Sequence, residues 1–260
     1  MLAAERHERI MSALRAEGAV KVVDLADSLD VSEMTIRRDL DVLDEREVLR
    51  KVHGGAIARD NRGVEPPSTA KAARQHAEKV AIGRAALGAV EDGMTIAVSA
   101  GTTTLELAKL LRGRSSITVV TNSIPIFQEL TGHPSEPDPI VYLTGGSRTP
   151  SDALVGPVAN AALDSFRVDA VFLGVHGFDV ESGLTTPNIA EAETNRRLIA
   201  TGRRLFVLAD NTKYREVGTN VFGRMSDVHT LVVDDGLASA DRRALAKHVD
   251  TIVVAETENA

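Results

Sequence analysis

The spacing of apolar residues in the first sixty positions predicts three short helices. The first covers about residues 3–16, the second the segment VDLADSLD, and the third starts after Ser32, whose hydroxyl suits an N-cap. On a helical wheel, Ile36, Leu40 and Leu43 of the third helix form one stripe that must face a core. The pattern therefore predicts a small helical module at the start of the chain.

The segment VLRKVHGGAIA alternates between apolar and polar positions and contains Gly54-Gly55, a pair that forms tight turns. This predicts a β-hairpin directly after the three helices. A hairpin in that position is the wing of a winged helix-turn-helix. We assign this module to residues 1–57.

Residues 58–68, ARDNRGVEPPS, are polar and rich in Gly and Pro, which indicates a linker. A helix is predicted from about Thr69 to Val90. Helical patterns then separate seven apolar, β-rich runs: MTIAVS, ITVVTN, PIVYLTG, DAVFLGV, RLFVLAD, HTLVVDD and TIVVAE. Near-continuous apolar strands of this kind predict an α/β domain, residues 69–260, built on a mostly parallel, Rossmann-like sheet.

Composition narrows the possible chemistry. The 260 residues carry a net charge of −7 and no cysteine, so disulfides and thiolate sites are excluded. The seven histidines show no metal-binding spacing, and no GxSxG elbow is present. No apolar run is long enough to span a membrane and no export signal is visible, so a cytoplasmic protein is expected. We therefore expect no catalytic residue, metal or cofactor.

The outer face of the third helix carries side chains that can bind nucleic acid. Met34, Arg37 and Arg38 lie opposite the apolar stripe, with Thr35 to one side, as on a recognition helix in a major groove. The hairpin adds cations that can meet the DNA backbone or minor groove. The predicted DNA-binding residues are Ser32, Met34, Thr35, Arg37, Arg38, Arg50, Lys51 and His53. The alternative is a small helical bundle with solvated arginines.

Polar loops follow five of the predicted strands, at the edge where parallel sheets bind ligands. The first, SAGTTTLELA, combines Gly101 with Thr102, Thr103 and Thr104 at a helix N-terminus, an arrangement that suits a phosphate group. A threonine-rich N-cap without a ligand is the alternative. Five such loops at equivalent ends of one sheet favour a ligand pocket.

Two sets of motifs resemble the DeoR family of regulators. RHERIMSAL, SEMTIRRDL and HGGA resemble its winged helix-turn-helix. AGTTTLELA, VVTNSIPI, LTGG, LVGPVA, FLGVHGFD and VLADNTKY follow the order of its sensor domain, which is related in fold to ribose-5-phosphate isomerase and coenzyme A transferases. Three residues depart from the usual family pattern: Glu47 where glycine caps the helix, Ser99 where aspartate is frequent, and His176 where aspartate or asparagine is frequent.

The resemblance implies a phosphorylated sugar or related metabolite as effector. It implies an effector site made of Ser99, Gly101, Thr102, Thr103, Thr104, Thr121, Asn122, Arg148, His176, Glu191 and Lys213. The sequence thus predicts a repressor of carbohydrate-metabolism genes that binds double-stranded operator DNA as a homodimer or homotetramer.

Two alternatives remain at this point. The first is a sugar-phosphate isomerase-like enzyme with an appended DNA-binding module, in which Glu191, Asp210 and Lys213 are the available acid–base groups. The second is an architectural DNA binder whose large domain only oligomerises.

Overall fold

The structure, a computed structural model, describes residues 2–17, 19–46, 48–52, 54–58, 68–132 and 138–257. The N-terminal module contains three helices and a small antiparallel sheet of order β1-β3-β2. Its elements are α1 (Ala3–Glu17), β1 (Ala19–Lys21), α2 (Val22–Leu29), α3 (Glu33–Glu45), β2 (Leu49–Val52) and β3 (Gly55–Ala58). The three predicted helices and the hairpin are confirmed, and β1 is an additional strand.

The core of this module forms from the apolar stripes of its helices. Ile10, Leu14, Ile36, Leu40 and Leu49 are almost fully buried in one cluster. Gly55 is required where β3 crosses β1, because a Cβ atom there would lie 2.0 Å from the carbonyl oxygen of residue 20. The wing is thereby held close against the helical core.

The second half of the chain is an α/β domain. Its helices are α4 (Ser68–Ala72), α5 (His76–Leu87), α6 (Thr102–Lys109), α7 (Ile124–Thr131), α8 (Pro157–Asp164), α9 (Ile189–Thr201) and α10 (Ser239–Leu245). Its strands are β4 (Thr95–Val98), β5 (Thr118–Thr121), β6 (Ile140–Leu143), β7 (Ser147–Arg148), β8 (Leu154–Val155), β9 (Val168–Gly174), β10 (Gly177–Asp179), β11 (Gly183–Thr186), β12 (Gly202–Leu208), β13 (Asn220–Gly223), β14 (Thr230–Asp234) and β15 (Thr251–Ala255).

All seven strands predicted from the apolar runs belong to one sheet, in the order β15-β14-β12-β9-β4-β5-β6. Every neighbouring pair in it is parallel, which confirms the fold class. Val171 and Phe172, adjacent on β9, belong to separate cores on opposite faces, so both faces of the sheet are covered. The strand order reverses between β4 and β9, and parallel sheets open a crevice at such a point.

The predicted single helix from Thr69 to Val90 is wrong, because residues 73–75 interrupt it. Gln75 adopts a left-handed backbone with φ 50°, and the ammonium group of Lys79 donates to the carbonyl oxygens of Lys71 and Arg74, both at 2.5 Å. A charged group from the second helix thus binds carbonyls at the end of the first. Local apolar spacing contains no signal for that contact.

Of the predicted linker 58–68, Ala58 ends β3 and Ser68 begins α4, while residues 59–67 lie outside the described residues. Two further small sheets, the β7–β8 hairpin and the antiparallel set β10-β11-β13, were not predicted. No helix in the described ranges has both the length and the apolar character needed to cross a bilayer.

Candidate functional site

The N-terminus of α3 is built by Ser32. Its hydroxyl accepts from the backbone N–H of Thr35 at 3.2 Å, and the two hydroxyls lie 2.9 Å apart. This N-cap starts the helix so that Ile36 and Leu40 are buried while Met34 is 56% exposed. The predicted outer face of α3 therefore forms a solvent-facing surface.

Two of the cations on this surface are paired with carboxylates. Arg37 donates to Glu33 at 2.7 Å, and Lys51 of the wing pairs with Asp41 of α3. Arg38 is exposed and forms no ion pair with another described residue. Its guanidinium group thus has its donors available for a phosphate or a guanine edge.

Asp39 holds the inner side of α3. It is 6% exposed and accepts two hydrogen bonds from Arg6, at 2.6 and 3.0 Å, and one contact from His7 at 3.0 Å. Burial alone raises the pKa of Asp39, but the hydrogen bonds and charges of Arg6 and His7 outweigh it and lower the pKa below its usual value. This network fixes α3 to α1 and so sets the angle of the helix surface.

For three residues singled out in the sequence, the structure does not describe the side chain. His53 and Glu47 lie outside the described residues, so the wing tip and the cap after α3 have no structural account. Arg50 lies in β2, and its side chain is not described.

A cleft of about 620 Å³ opens at the carboxyl ends of β4 and β9, where the strand order reverses. Four cationic side chains line it, Lys71, Arg74, Lys79 and Lys213, together with the carboxylates of Glu191, Asp210 and Glu216. The volume and the mixture of groups are typical of a pocket for a small polar ligand.

The start of α6 is an anion-binding arrangement in the cleft wall. Gly101 precedes α6 without a side-chain cap, and Thr102 and Thr103 of its first turn line the cleft. Added Cβ at Gly101 would come within 2.9 Å of the Thr104 hydroxyl, so the tight turn favours glycine. The uncapped N–H groups of such a helix attract a negative charge.

Lys79 lies beside this turn and is only 3% exposed. Burial lowers its pKa to about 8, with Lys213 and Arg74 adding to the effect and Asp210 opposing it. A bound anion strongly stabilises the charged form of a buried ammonium group. The anion supplies a favourable charge interaction in place of the water that burial removed.

Carboxylate and imidazole groups also line the cleft. Glu191 is 8% exposed and accepts hydrogen bonds from Thr149 at 2.6 Å and from Ser151. His176 lies 3.2 Å from Glu216, which also pairs with Lys213 at 3.4 Å. Although burial raises the pKa of Glu216, the hydrogen bond from His176 and the charge of Lys213 lower it to about 2.

Seven of the eleven predicted effector residues line the cleft together: Gly101, Thr102, Thr103, Asn122, His176, Glu191 and Lys213. Asn122 is held in place because its amide accepts from the N–H of Ala100 at 2.9 Å and donates to the carbonyl of Leu154 at 3.1 Å. Residues that follow four of the predicted strands, together with Glu191 of α9, thus meet in one place.

The other four lie outside the lining, for local reasons. The hydroxyls of Thr104 and Thr121 donate to backbone carbonyls, at 2.8 Å to residue 99 and 2.7 Å to residue 98. Ser99 accepts from the N–H of residue 174 at 3.0 Å and so joins β4 to β9. Arg148 is 68% exposed and pairs with Asp152. These four side chains bind other groups of the protein and do not line the cleft.

Several lining residues were missed in the sequence, among them Ser68, Lys71, Arg74, Lys79 and Glu216. Lys79 had a usable signal, since it lies on the same helical stripe as the buried Ile82 and Ala86. A lysine on an apolar stripe indicates a buried charge with a specific partner. The others depend on how α4 and the 211–216 loop fold over the cleft. Within the described ranges, no group of His, Asp and Glu is arranged to hold a metal ion.

Comparison with known protein families supports both halves of this arrangement. Residues 6–62 match the DeoR-like helix-turn-helix domain. Residues 74–235 match the DeoR C terminal sensor domain. Together these matches cover the helix surface and all of the cleft lining except Ser68, Lys71 and Ala73.

Similar proteins align along nearly the full length of the chain. The HTH-type transcriptional regulator GlpR of Haloferax volcanii is 34% identical over 98% of each chain. The putative aga operon transcriptional repressor of Escherichia coli O157:H7 is 32% identical over 97% of this chain and 94% of its own. The transcriptional repressor AccR of Agrobacterium fabrum is 33% identical over 89% of this chain and 90% of its own.

Among solved structures, ribose 5-phosphate isomerase A from Methanocaldococcus jannaschii aligns with 53% of this chain and 54% of its own, at 16% identity and a TM-score of 0.39. The translation initiation factor eIF-2B of Pyrococcus horikoshii aligns with 61% of this chain and 62% of its own, at 14% identity and a TM-score of 0.40.

Proposed function

This chain belongs to the DeoR family of transcriptional regulators, and from that premise we propose that it represses carbohydrate-metabolism genes under the control of a phosphorylated sugar. Two of the similar proteins are named as transcriptional repressors, one of them as a putative repressor of the aga operon. These names support repression rather than activation. The N-terminal module binds operator DNA, and the cleft of the α/β domain binds the effector.

The mixture of groups that line the cleft is the observation that carries the effector class. The N-terminus of α6, together with Lys79 and Arg74, suits a phosphate dianion. Glu191 lines the same cleft, and its carboxylate oxygens can accept from sugar hydroxyls. A ligand that carries both a phosphate and a polyol satisfies both kinds of group.

On the DNA side, α3 enters the major groove with Arg38 and Thr35 towards the bases or phosphates, and the wing places Lys51 beside the backbone. One module of this size offers limited contact area, so we expect a homodimer or homotetramer that grips two half-sites. The chain then works in the cytoplasm, without a cofactor and without catalytic residues.

The isomerase-like alternative requires a general base, and the carboxylates of the cleft are poorly suited to that task. Glu191 accepts hydrogen bonds from Thr149 and Ser151, and Asp210 caps the 211–213 turn by accepting from Thr212. Glu216, with a pKa of about 2, has little affinity for a proton near neutrality. We therefore prefer ligand sensing to catalysis.

The test has two stages. A thermal-shift screen of phosphorylated sugars identifies ligands, because a molecule that binds only the folded state raises the unfolding temperature. Duplexes enriched from a random-sequence library then serve in gel shifts with and without each hit, at stated salt. We expect a sugar phosphate to raise the melting temperature and to change operator affinity.

Lys79→Met should abolish the thermal shift, whereas Lys247→Met, an exposed lysine outside the cleft, should retain it. Failure of every sugar phosphate to stabilise the protein would favour the architectural alternative. Turnover of a hit at ordinary enzyme rates would favour the isomerase-like alternative.

A further inference from the structure

The β7–β8 hairpin touches the cleft with one side of its turn. Thr149 donates to the carboxylate of Glu191 at 2.6 Å, and Ser151 donates to the same oxygen. Ser151 and Ala153 also line the cleft. The hairpin turn is therefore part of the wall that a ligand at Glu191 would meet.

The same turn also holds Ser68, which itself lines the cleft. The backbone N–H of Ser68 donates to the carbonyl of Pro150 at 3.2 Å, and its hydroxyl donates to the carboxylate of Asp152. Arg148 donates to the other oxygen of Asp152 at 2.7 Å. Burial raises the pKa of Asp152, but the hydrogen bonds from Ser68 and Arg148 outweigh it, so the pKa lies below its usual value.

Asp152 is held in an unusual backbone conformation for this purpose. Its φ is 60°, in the left-handed region, which aspartate and asparagine adopt more often than most residues other than glycine. Its own N–H donates to the carbonyl of Thr149 at 3.0 Å, and its carbonyl accepts from the N–H of Ile124 at 3.2 Å. The turn thus contacts Glu191 through Thr149 and Ser151 and contacts Ser68 through Asp152.

Ser68 is the first residue of α4, where the chain enters the α/β domain from the segment that joins it to the DNA-binding module. We propose that the Arg148–Asp152–Ser68 contact is the positioning element through which occupancy of the cleft reaches the chain leading to that module. This proposal rests on the proposed function and specifies how the same cleft regulates DNA binding. It also gives Arg148 a role outside effector contact.

The physical argument is competition for one carboxylate. Glu191 accepts from Thr149 and Ser151 through one oxygen and from Thr186 through the other, so a sugar hydroxyl that donates to this carboxylate competes with these donors. Because Thr149 and Asp152 belong to one tight turn, a change at the first alters the hold on Ser68. Allostery of this kind requires only that the ligand discriminate between two arrangements of the turn.

Hydrogen–deuterium exchange of the full chain tests the contact without a known effector. Exchange is read in peptides covering Ser68–Ala72, with α10 as an internal reference. Ser68→Ala removes one hydrogen bond to Asp152 and should speed exchange at Ser68–Ala72 by about fivefold. Asp152→Asn, which tolerates the left-handed backbone, should give a smaller rise in the same peptides.

Glu191→Gln probes the path from the cleft. It should speed exchange at Ser68–Ala72 severalfold in the wild-type background and add nothing in the Ser68→Ala background. Ser165→Ala is the matched control, since this exposed hydroxyl donates to the carbonyl of Ala162 outside both regions. It should leave exchange at Ser68–Ala72 unchanged.

Two results would overturn the proposal. One is a change in Glu191→Gln confined to α9 and the hairpin, with Ser68–Ala72 unmoved. The other is an equal increment of exchange in both backgrounds. Gel shifts of the wild-type chain with enriched duplexes are measured separately, so failure to bind DNA counts against the proposed function and leaves the exchange result intact.

Discussion

Lys79 should take up a proton when an anion enters the cleft. Sulfate is the appropriate probe because it stays a dianion near neutrality, whereas a phosphate ester changes its own charge. With a pKa of about 8, Lys79 is neutral in roughly half of the unliganded molecules at pH 8. A bound anion favours the ammonium form, so binding draws protons from the buffer.

The size of the effect follows from that pKa. If bound Lys79 is fully protonated, proton uptake per sulfate is roughly 0.1 at pH 7, 0.5 at pH 8 and 0.9 at pH 9, and sulfate affinity falls about tenfold between pH 7 and 9. The same depressed pKa affects stability with a definite sign. The unfolded chain binds more protons between about pH 8 and 10.5, so Lys79 destabilises the fold below pH 8 and this penalty is lost as the pH rises.

Isothermal titration calorimetry in two buffers of different ionisation enthalpy counts the protons directly. Lys79→Met should lose both the uptake and the pH dependence of any residual binding, while the exposed Lys247→Met should match the wild type. Proton uptake that survives in Lys79→Met, or none at pH 8 in the wild type, would refute the assignment of the anion to Lys79. Absence of sulfate binding at any pH would refute the anion site at α6.

Three further predictions concern the DNA-binding module. Arg38→Ala should weaken operator binding in gel shifts, and it should lower the slope of log affinity against log salt by about 1 because a phosphate contact is removed. An unchanged affinity would contradict a DNA contact by Arg38. Glu33→Gln releases Arg37 from its ion pair, so affinity for unrelated duplexes should rise severalfold and should rise more than affinity for the operator. Fluorescence anisotropy measures the affinity for both duplexes. An equal rise would contradict a role of Glu33 in discriminating the operator from other DNA. Asp39→Asn should destabilise the module by about 2 kcal/mol in urea unfolding, because a buried carboxylate loses charge-assisted hydrogen bonds. Because the pKa of Asp39 is lowered in the folded state, the stability difference between wild type and Asp39→Asn is present above about pH 4 and shrinks as the pH falls through the pKa of folded Asp39. A stability difference that stays constant in acid would contradict this assignment.

The fold was largely readable from apolar spacing. Each of the seven apolar runs became a strand of one parallel sheet, and the stripe of Ile36, Leu40 and Leu43 became the buried face of α3. Burial on a helix or strand repeats with the period of the element itself, so a single sequence contains that information. The break between α4 and α5 was not readable, because it depends on Lys79 reaching back to two carbonyls.

The sequence by itself determined which loops meet at the carboxyl edge of the sheet, and therefore that Gly101, Asn122, His176, Glu191 and Lys213 converge. It also predicted which face of α3 is exposed to solvent.

Only the tertiary structure decided which polar groups remain free to meet a ligand. Thr102 and Thr104 differ by two positions in one run, yet the first lines the cleft and the second binds the carbonyls of residues 99 and 101. Arg148 likewise reaches Asp152 instead of the cleft. The reason is physical: a hydroxyl or guanidinium binds whatever partner the fold brings within about 3 Å, and the conformation of the turn decides this even for partners three to five residues away.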